Sequence, residues 1–191
     1  MTNFDSMFQE VEERTSSESD FFVIKTGKNT VRILSDFVKV ENVFKGEYPN
    51  SKYQGIKTPE RTLESDEKST LQGWAWLLDR ATGEVKIGQF GSSILKALGG
   101  LKNDPEYAFT SFPMPYDITI TNTGEGANRY SIIAARQNTE VKEEEMTLLN
   151  KKKTIADIVG AIVDKQSGKT TDSVEAVDYP QSSENTSADG F

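Results

Sequence analysis

The sequence predicts a mainly β domain: a small antiparallel barrel or curved sheet with peripheral helices and an acidic C-terminal tail. Three observations support this fold class. Short runs rich in β-branched and aromatic residues alternate with Gly- and Asn-containing turns over residues 21–136, as antiparallel strands do. One short helical pattern interrupts these runs. The chain has 191 residues, 35% of them hydrophobic, which fits one core with extensions.

The first three strand patterns lie close together in the sequence. Residues 21–25 and 30–34 flank a Thr-Gly-Lys-Asn turn, and residues 37–44 alternate apolar and polar side chains with a slip near Asn42. Residues 45–72 are polar and almost free of aliphatic side chains. We therefore expect a long loop there, and long loops inside compact domains are usually functional or disordered.

Two hairpins and a helix follow. Residues 73–79 and 84–90 predict the clearest hairpin, with Gly83 in its turn. We expect Ser92 or Ser93 to cap a short helix that ends at Gly99-Gly100. Residues 116–121 and 129–134 predict a second hairpin. Five or more short strands with one inserted helix favour a barrel of the OB type.

The apolar spacing becomes helical after residue 140, over residues 140–150 and 154–164. Beyond Lys165 the composition shifts to Ser, Thr, Asp, Glu and Gly, which cannot bury enough surface to offset the entropy of ordering. The predicted organisation is an acidic arm (1–20), an OB-like core (21–139), C-terminal helices (140–165) and a disordered acidic tail (166–191).

Charge is distributed unevenly along the chain. The formal net charge is −8, yet residues 1–20 hold six acidic groups against one arginine, and residues 154–191 hold seven against two lysines. The segment between them is slightly basic, with 19 cationic and 17 acidic residues. A low overall isoelectric point therefore does not exclude a polyanionic ligand for the central segment.

The residue types that are absent exclude several kinds of chemistry. The chain has no Cys and no His, so it has no disulfide, no thiolate or imidazole zinc site and no Ser–His or Cys–His catalysis. No stretch approaches the roughly 20 apolar residues that span a bilayer, and the acidic start does not fit a signal peptide. We expect an intracellular, soluble protein. Carboxylate or lysine chemistry with magnesium is the remaining enzymatic possibility. The candidate magnesium ligands are Asp36, Glu41, Asp79, Glu84 and Asp117.

Aromatic and basic residues are mixed in the same segments. This mixture is typical of single-strand binding, in which bases stack on rings and cations follow the backbone. Trp74 and Trp76 share one face of their strand, although a core position explains either one equally well. The polar loop gives Tyr48 and Tyr53 little core to enter, so we expect them to contact a ligand. The candidates from these segments are Lys39, Phe44, Lys45, Tyr48, Lys52, Tyr53, Lys57, Arg61, Trp74, Trp76 and Lys86.

Several short motifs, taken in order, resemble phage single-stranded DNA-binding proteins. They are the Gly-Lys-Asn-Thr-Val-Arg-Ile-Leu run at 27–34, the Trp-x-Trp strand with its Asp-x-x-Thr-Gly turn, the short helix after it, the Tyr-Asp-Ile-Thr-Ile strand with its Gly-rich hairpin, and the acidic tail. The resemblance implies an OB-fold core with a cationic, aromatic-lined groove, and it adds Arg32, Arg129 and Tyr130 to the DNA-binding candidates. It also implies a tail that recruits replication or recombination proteins, with Asp189 and Phe191 at its tip. The T-even members hold zinc and have a basic N-terminus, which this chain lacks.

We therefore expect a non-enzymatic protein that binds single-stranded DNA during phage replication, recombination or repair, in the cytoplasm of the infected host and without a cofactor. One alternative is a structural or partner-binding β-barrel that holds a peptide or glycan. Another is a magnesium-dependent nuclease. The sequence leaves the oligomeric state open.

Overall fold

The computed structural model describes residues 20–47, 50–124, 129–135 and 139–168. The predicted N-terminal arm, apart from Asp20, and the predicted tail beyond Gly168 therefore lie outside the described residues. The described elements are β1 Gly27–Ile33, β2 Val38–Lys45, β3 Lys52–Ile56, β4 Glu67–Asp79, β5 Val85–Gly91, α1 Ser92–Asn103, β6 Ile118–Asn122, β7 Tyr130–Ala134, α2 Glu143–Asn150 and α3 Ile155–Gln166.

The fold is a seven-stranded antiparallel sheet built around the long strand β4. The first half of β4 pairs with β2, which carries β3 on its other side. The second half pairs with β5 on one edge and with the end of β1 on the other, with Val31 opposite Asp79. β6 then pairs with β1, and β7 with β6. The mainly β fold class is confirmed, and so are two of the three predicted hairpins, β4–β5 and β6–β7.

The described strands do not close into the predicted barrel. The strands pair in the order β5-β4-β1-β6-β7, and along the chain the helix α1 connects β5 to β6. No ladder among the described residues joins β5 to β7, the two ends of this order. α1 contacts both of these strands instead. The β2–β3 hairpin is an insertion between β1 and β4 that lengthens the sheet at one end.

Both faces of β4 are covered, because two helices pack on opposite sides of the sheet. Trp74, Trp76 and Leu78 belong to a cluster that includes Ile155 and Ile162 of α3. Ala75 and Leu77, which alternate with them along the strand, belong to a second cluster with Ile94 and Leu98 of α1. From Trp74 to Leu78 the central strand therefore has no face open to a ligand, whereas Leu71, nearer its start, is 45% exposed.

Four local predictions are wrong. Residues 21–25 do not pair with residues 30–34, because β1 begins at Gly27 and pairs with β4 and β6. The N-cap of α1 is Gly91, and neither Ser92 nor Ser93 caps the helix. α1 continues through Gly99-Gly100 and ends at Asn103, because Asp104 precedes a proline and is extended, with φ −77° and ψ 128°. Residues 45–72 are not one long loop, since they contain β3 and the start of β4. The two helical patterns after residue 140 are confirmed as α2 and α3. In the described part of the chain, every helix is too short or too polar to cross a membrane.

Candidate nucleic-acid interface

The two tryptophans are core residues, so the prediction that bases stack on them is wrong for this structure. Trp74 is 0% exposed and Trp76 is 3% exposed. Phe21 packs edge-on against Trp74, with ring centroids 5.5 Å apart. The indole N–H of Trp76 donates to the carbonyl of Lys153 at 3.0 Å. The two rings do share a face, as their spacing predicts, but α3 and the segment before it cover that face.

Arg32 is also committed to the interior, so its prediction as a phosphate contact is wrong. It is 3% exposed, and its Nε lies 2.5 Å from Oδ1 of Asp117. Its other nitrogens donate to the carbonyls of Met114 and Thr139, at 3.0 and 2.7 Å. Arg80 donates to the same Asp117 oxygen at 3.1 Å. The guanidinium of Arg32 thus joins β1 to the segment before β6 and to the chain that leads into α2.

The described residues do not support the magnesium alternative. They contain no group of three acidic side chains placed to hold a metal ion. Asp117 is occupied by Arg32 and Arg80, and Glu41 accepts from two lysines.

Several predicted cations are paired with carboxylates. Glu41 lies 2.9 Å from Lys39 and 3.4 Å from Lys57, and Lys86 lies 2.9 Å from Glu84. The hydrogen bond from Lys39, and then that from Lys57, lower the pKa of Glu41. These lysines remain predicted DNA contacts, but each one has a neighbouring negative charge that a phosphate would have to displace.

The β2–β3 hairpin carries the predicted aromatic residues. Phe44 lies opposite Tyr53 of β3 on one side and opposite Lys68 of β4 on the other. Directly opposite residues in an antiparallel pair point to the same face, so these three side chains form a row across the sheet. The rings of Phe44 and Tyr53 are 5.7 Å apart and tilted by 60°. We call Tyr53, Phe44 and Lys68 the hairpin surface.

Tyr53 is the most accessible aromatic group of this surface. It is 40% exposed, while Phe44 is half-buried. Partial burial raises the pKa of the Tyr53 hydroxyl, and a hydrogen bond to Gln166 and the nearby charge of Arg61 oppose the shift. Arg61 itself donates to Glu67 at 2.6 Å and to the carbonyl of Gln54 at 3.1 Å. A cation therefore lies close to the exposed ring.

Lys45 and Lys52 lie directly opposite each other in the next row, and their side chains point to the other face of the hairpin. Lys45 contacts Glu64 at 2.5 Å and Asp66 at 3.6 Å, and the hydrogen bond to Glu64 raises the pKa of Lys45. Lys52 is exposed and makes no ion pair among the described residues. The interleaved sequence thus places these predicted aromatics and lysines on opposite faces of one hairpin.

Lys68 is a candidate that the sequence analysis missed. It is exposed, makes no ion pair within the described ranges and extends the aromatic row. The residues around it were predicted to be loop. A strand prediction there would have paired it with Phe44.

The remaining candidates lie elsewhere. The guanidinium of Arg129 lies 4.9 Å from the ring centre of Tyr130 at the start of β7, and Tyr130 is half-buried against the α1 cluster. Tyr48, Asp189 and Phe191 lie outside the described residues, and their predicted roles stay predictions.

No protein-family model matches this chain, and comparisons with curated proteins and with solved structures also find no match.

Proposed function

We propose that this protein binds single-stranded DNA without sequence preference, with unpaired bases stacking at the hairpin surface. The observation that carries the proposal is the row Tyr53–Phe44–Lys68. It has a partly exposed ring pair and, on the same face, an ammonium group that makes no ion pair with any residue the structure describes. Bases of any sequence stack on aromatic side chains, and a lysine beside them neutralises phosphate.

The order of the strands supports this reading. The path β5-β4-β1-β6-β7 with a helix between β5 and β6 is the connectivity of an OB-like Greek-key barrel, here left open. OB folds bind oligonucleotides on the face of their second and third strands and with the loops between strands one and two and between strands four and five. Those strands correspond to β4 and β5, whose outer face is covered by α3. The β2–β3 hairpin occupies the first of those loops and is therefore the favoured contact region.

The resemblance to phage single-stranded DNA-binding proteins supports the biological setting. We propose a role in phage DNA replication, recombination or repair in the infected bacterial cell, without a catalytic step. A ligand that binds only unpaired strands shifts the duplex equilibrium by mass action, so no nucleotide hydrolysis is needed. The acidic tail, with Asp189 and Phe191, is proposed to recruit partner proteins.

The test is fluorescence anisotropy of labelled oligo-dT with the full chain. Tyr53→Ala is compared with Tyr107→Ala, which removes a tyrosine from the ring pair Tyr107–Tyr116, away from the hairpin. Base stacking contributes about 1–3 kcal/mol, so Tyr53→Ala should weaken binding by about fivefold to 150-fold. Tyr107→Ala should leave the affinity unchanged.

Three results would overturn the proposal. If the protein does not bind oligo-dT at low salt, the proposed function is wrong. If both variants lose the same affinity, the hairpin surface is not the binding site. Loss of intact oligonucleotide that EDTA prevents indicates a nuclease instead.

A further inference from the structure

The last residue of α3, Gln166, reaches the hairpin surface. It follows Ile162 by four positions, so both side chains lie on the same face of the helix. Ile162 is buried in one cluster with Ile56 of β3, which places this face against the sheet. The apolar stripe of α3 therefore continues as a primary amide at the point where the helix meets β3.

This amide bonds to β3 through both of its polar atoms. Its oxygen accepts from the N–H of Ile56 at 3.1 Å. The amide nitrogen is then left for the second hydrogen bond, which Gln166 makes with the hydroxyl of Tyr53. Burial raises the pKa of Tyr53, and this bond opposes the shift, as a hydrogen bond donated to the phenol oxygen does. One side chain thus joins α3 to the backbone of β3 and to the exposed ring.

The backbone of β3 leaves room for the amide at Gly55. This residue has a positive φ of +108°, and a Cβ at its position would lie 2.7–2.8 Å from three atoms of the Gln166 amide. Any other residue at position 55 would therefore strain the backbone and displace Gln166. The amide fills the space that the absent side chain leaves.

The ring of Tyr53 needs an anchor outside its own strand. The β2–β3 register shifts between Val43 and Phe44, beside Tyr53, and bulges of this kind interrupt the ladder and change the direction of side chains. Residues 52–54 are all exposed, so the core does not fix their side chains. Phe44 contacts one side of the ring, and Gln166 bonds the hydroxyl at its far end. Contacts at two points restrict both side-chain torsions of the tyrosine.

We propose that Gln166 is a positioning residue for DNA binding, which holds the ring of Tyr53 in the orientation in which a base stacks on it. This inference rests on the proposed function. A side chain that becomes ordered only during association reduces the affinity, and a ring that is already held avoids this cost. Loss of the amide should therefore weaken binding by about twofold to 12-fold.

Gln166→Met tests this role, because methionine keeps the length of the side chain and removes both hydrogen bonds. Fluorescence anisotropy with labelled oligo-dT should show about twofold to 12-fold weaker binding by this variant. Gln54→Met is the matched control. Gln54 is an exposed glutamine next to Tyr53, and its side chain donates to the carbonyl of Lys52 at 3.3 Å. This control should bind as tightly as the wild type.

A double-mutant cycle shows whether Gln166 acts through the hydroxyl of Tyr53. Tyr53→Phe keeps the ring and removes the hydroxyl, so it should lose affinity by a factor similar to that of Gln166→Met. Adding Gln166→Met to Tyr53→Phe should then cause little further loss. A general structural role of Gln166 would instead weaken binding by the same factor in both backgrounds.

The order of the ring can be measured without DNA. NMR relaxation of ¹³C-labelled tyrosine rings should give a lower order parameter for Tyr53 in Gln166→Met and an unchanged one in Gln54→Met.

The outcomes separate this inference from the proposed function. If the wild type binds oligo-dT and Tyr53→Ala weakens binding, but Gln166→Met binds as tightly as the wild type, this inference alone is wrong. Equal losses in Gln166→Met and Gln54→Met, additive losses in the double variant, or an unchanged order parameter in Gln166→Met would also overturn it. If the wild type does not bind oligo-dT, the proposed function is wrong, and this inference with it.

Discussion

Asp117→Ala should destabilise the fold strongly, because it removes the carboxylate that neutralises Arg32. The side chains of both partners are nearly sealed from solvent, at 4% and 3% exposure. Removing one partner of a buried pair leaves an uncompensated charge, which costs about 3–5 kcal/mol. Arg80 loses the same oxygen but keeps Glu145 at 3.4 Å and the carbonyl of Thr139 at 2.6 Å. The loss is therefore concentrated on Arg32.

Thermal unfolding followed by circular dichroism measures this effect. A chain of this size loses about 2–4 °C of Tm per kcal/mol, so Asp117→Ala should lower the midpoint by about 6–20 °C. Lys39→Ala is the surface control, since the Lys39 side chain is 70% exposed in its pair with Glu41. Exposed pairs contribute about 0–1 kcal/mol, so its midpoint should change by no more than a few degrees.

A double variant separates structure from DNA binding. Arg32→Leu combined with Asp117→Leu removes both charges and should recover much of the lost stability. Its affinity for oligo-dT should equal that of the wild type, because Arg32 does not reach the surface. An unchanged midpoint in Asp117→Ala, or weak DNA binding by a folded double variant, would refute the reasoning.

Three further predictions concern the hairpin surface and the buried rings. Oligo-dT should quench the fluorescence of Trp74 and Trp76 very little, even where anisotropy reports binding, because both rings are buried. Strong quenching would show that the rings become accessible to DNA. Lys68→Ala should reduce the slope of log affinity against log salt by about 0.7, while Lys96→Ala on α1 should not change it; equal slopes in the two variants would remove Lys68 from the interface. Burial raises the pKa of Tyr53 in the folded protein, so folding favours the neutral phenol. The resulting stabilisation is complete below the ordinary tyrosine pKa near 10, and it is lost as the pH rises through the pKa of the folded protein. Urea midpoints measured on both sides of that value should therefore fall less in Tyr53→Phe than in the wild type, and an identical fall would contradict the shift.

Local patterns in the sequence predicted the parts of the fold that local patterns control. The alternation around Gly83 predicted the β4–β5 hairpin, and the spacing of Ile155, Ile158 and Ile162 predicted α3. β3 was missed because Lys52, Tyr53 and Gln54 are all exposed, so the strand lacks the alternation of apolar and polar residues that a half-buried strand shows.

The errors at the candidate site arise from contacts between distant parts of the chain. A period of two correctly put Trp74 and Trp76 on one face, but the cover over that face comes from a helix that begins at residue 155. Arg32 counted as one cation of a basic segment, whereas its carboxylate partner lies 85 positions later. Charge summed along a segment does not reveal which cations are already paired.

Photocrosslinking of oligo-dT that contains 5-iodouracil tests the central claim most directly, because this base couples efficiently to aromatic rings on which it stacks. Digestion and mass spectrometry then identify the attached residue. The account predicts adducts at Tyr53 or Phe44, and it predicts that these adducts are lost in the double variant that carries both Tyr53→Ala and Phe44→Ala. Adducts confined to Tyr130, to Trp74 or to Trp76 would contradict it.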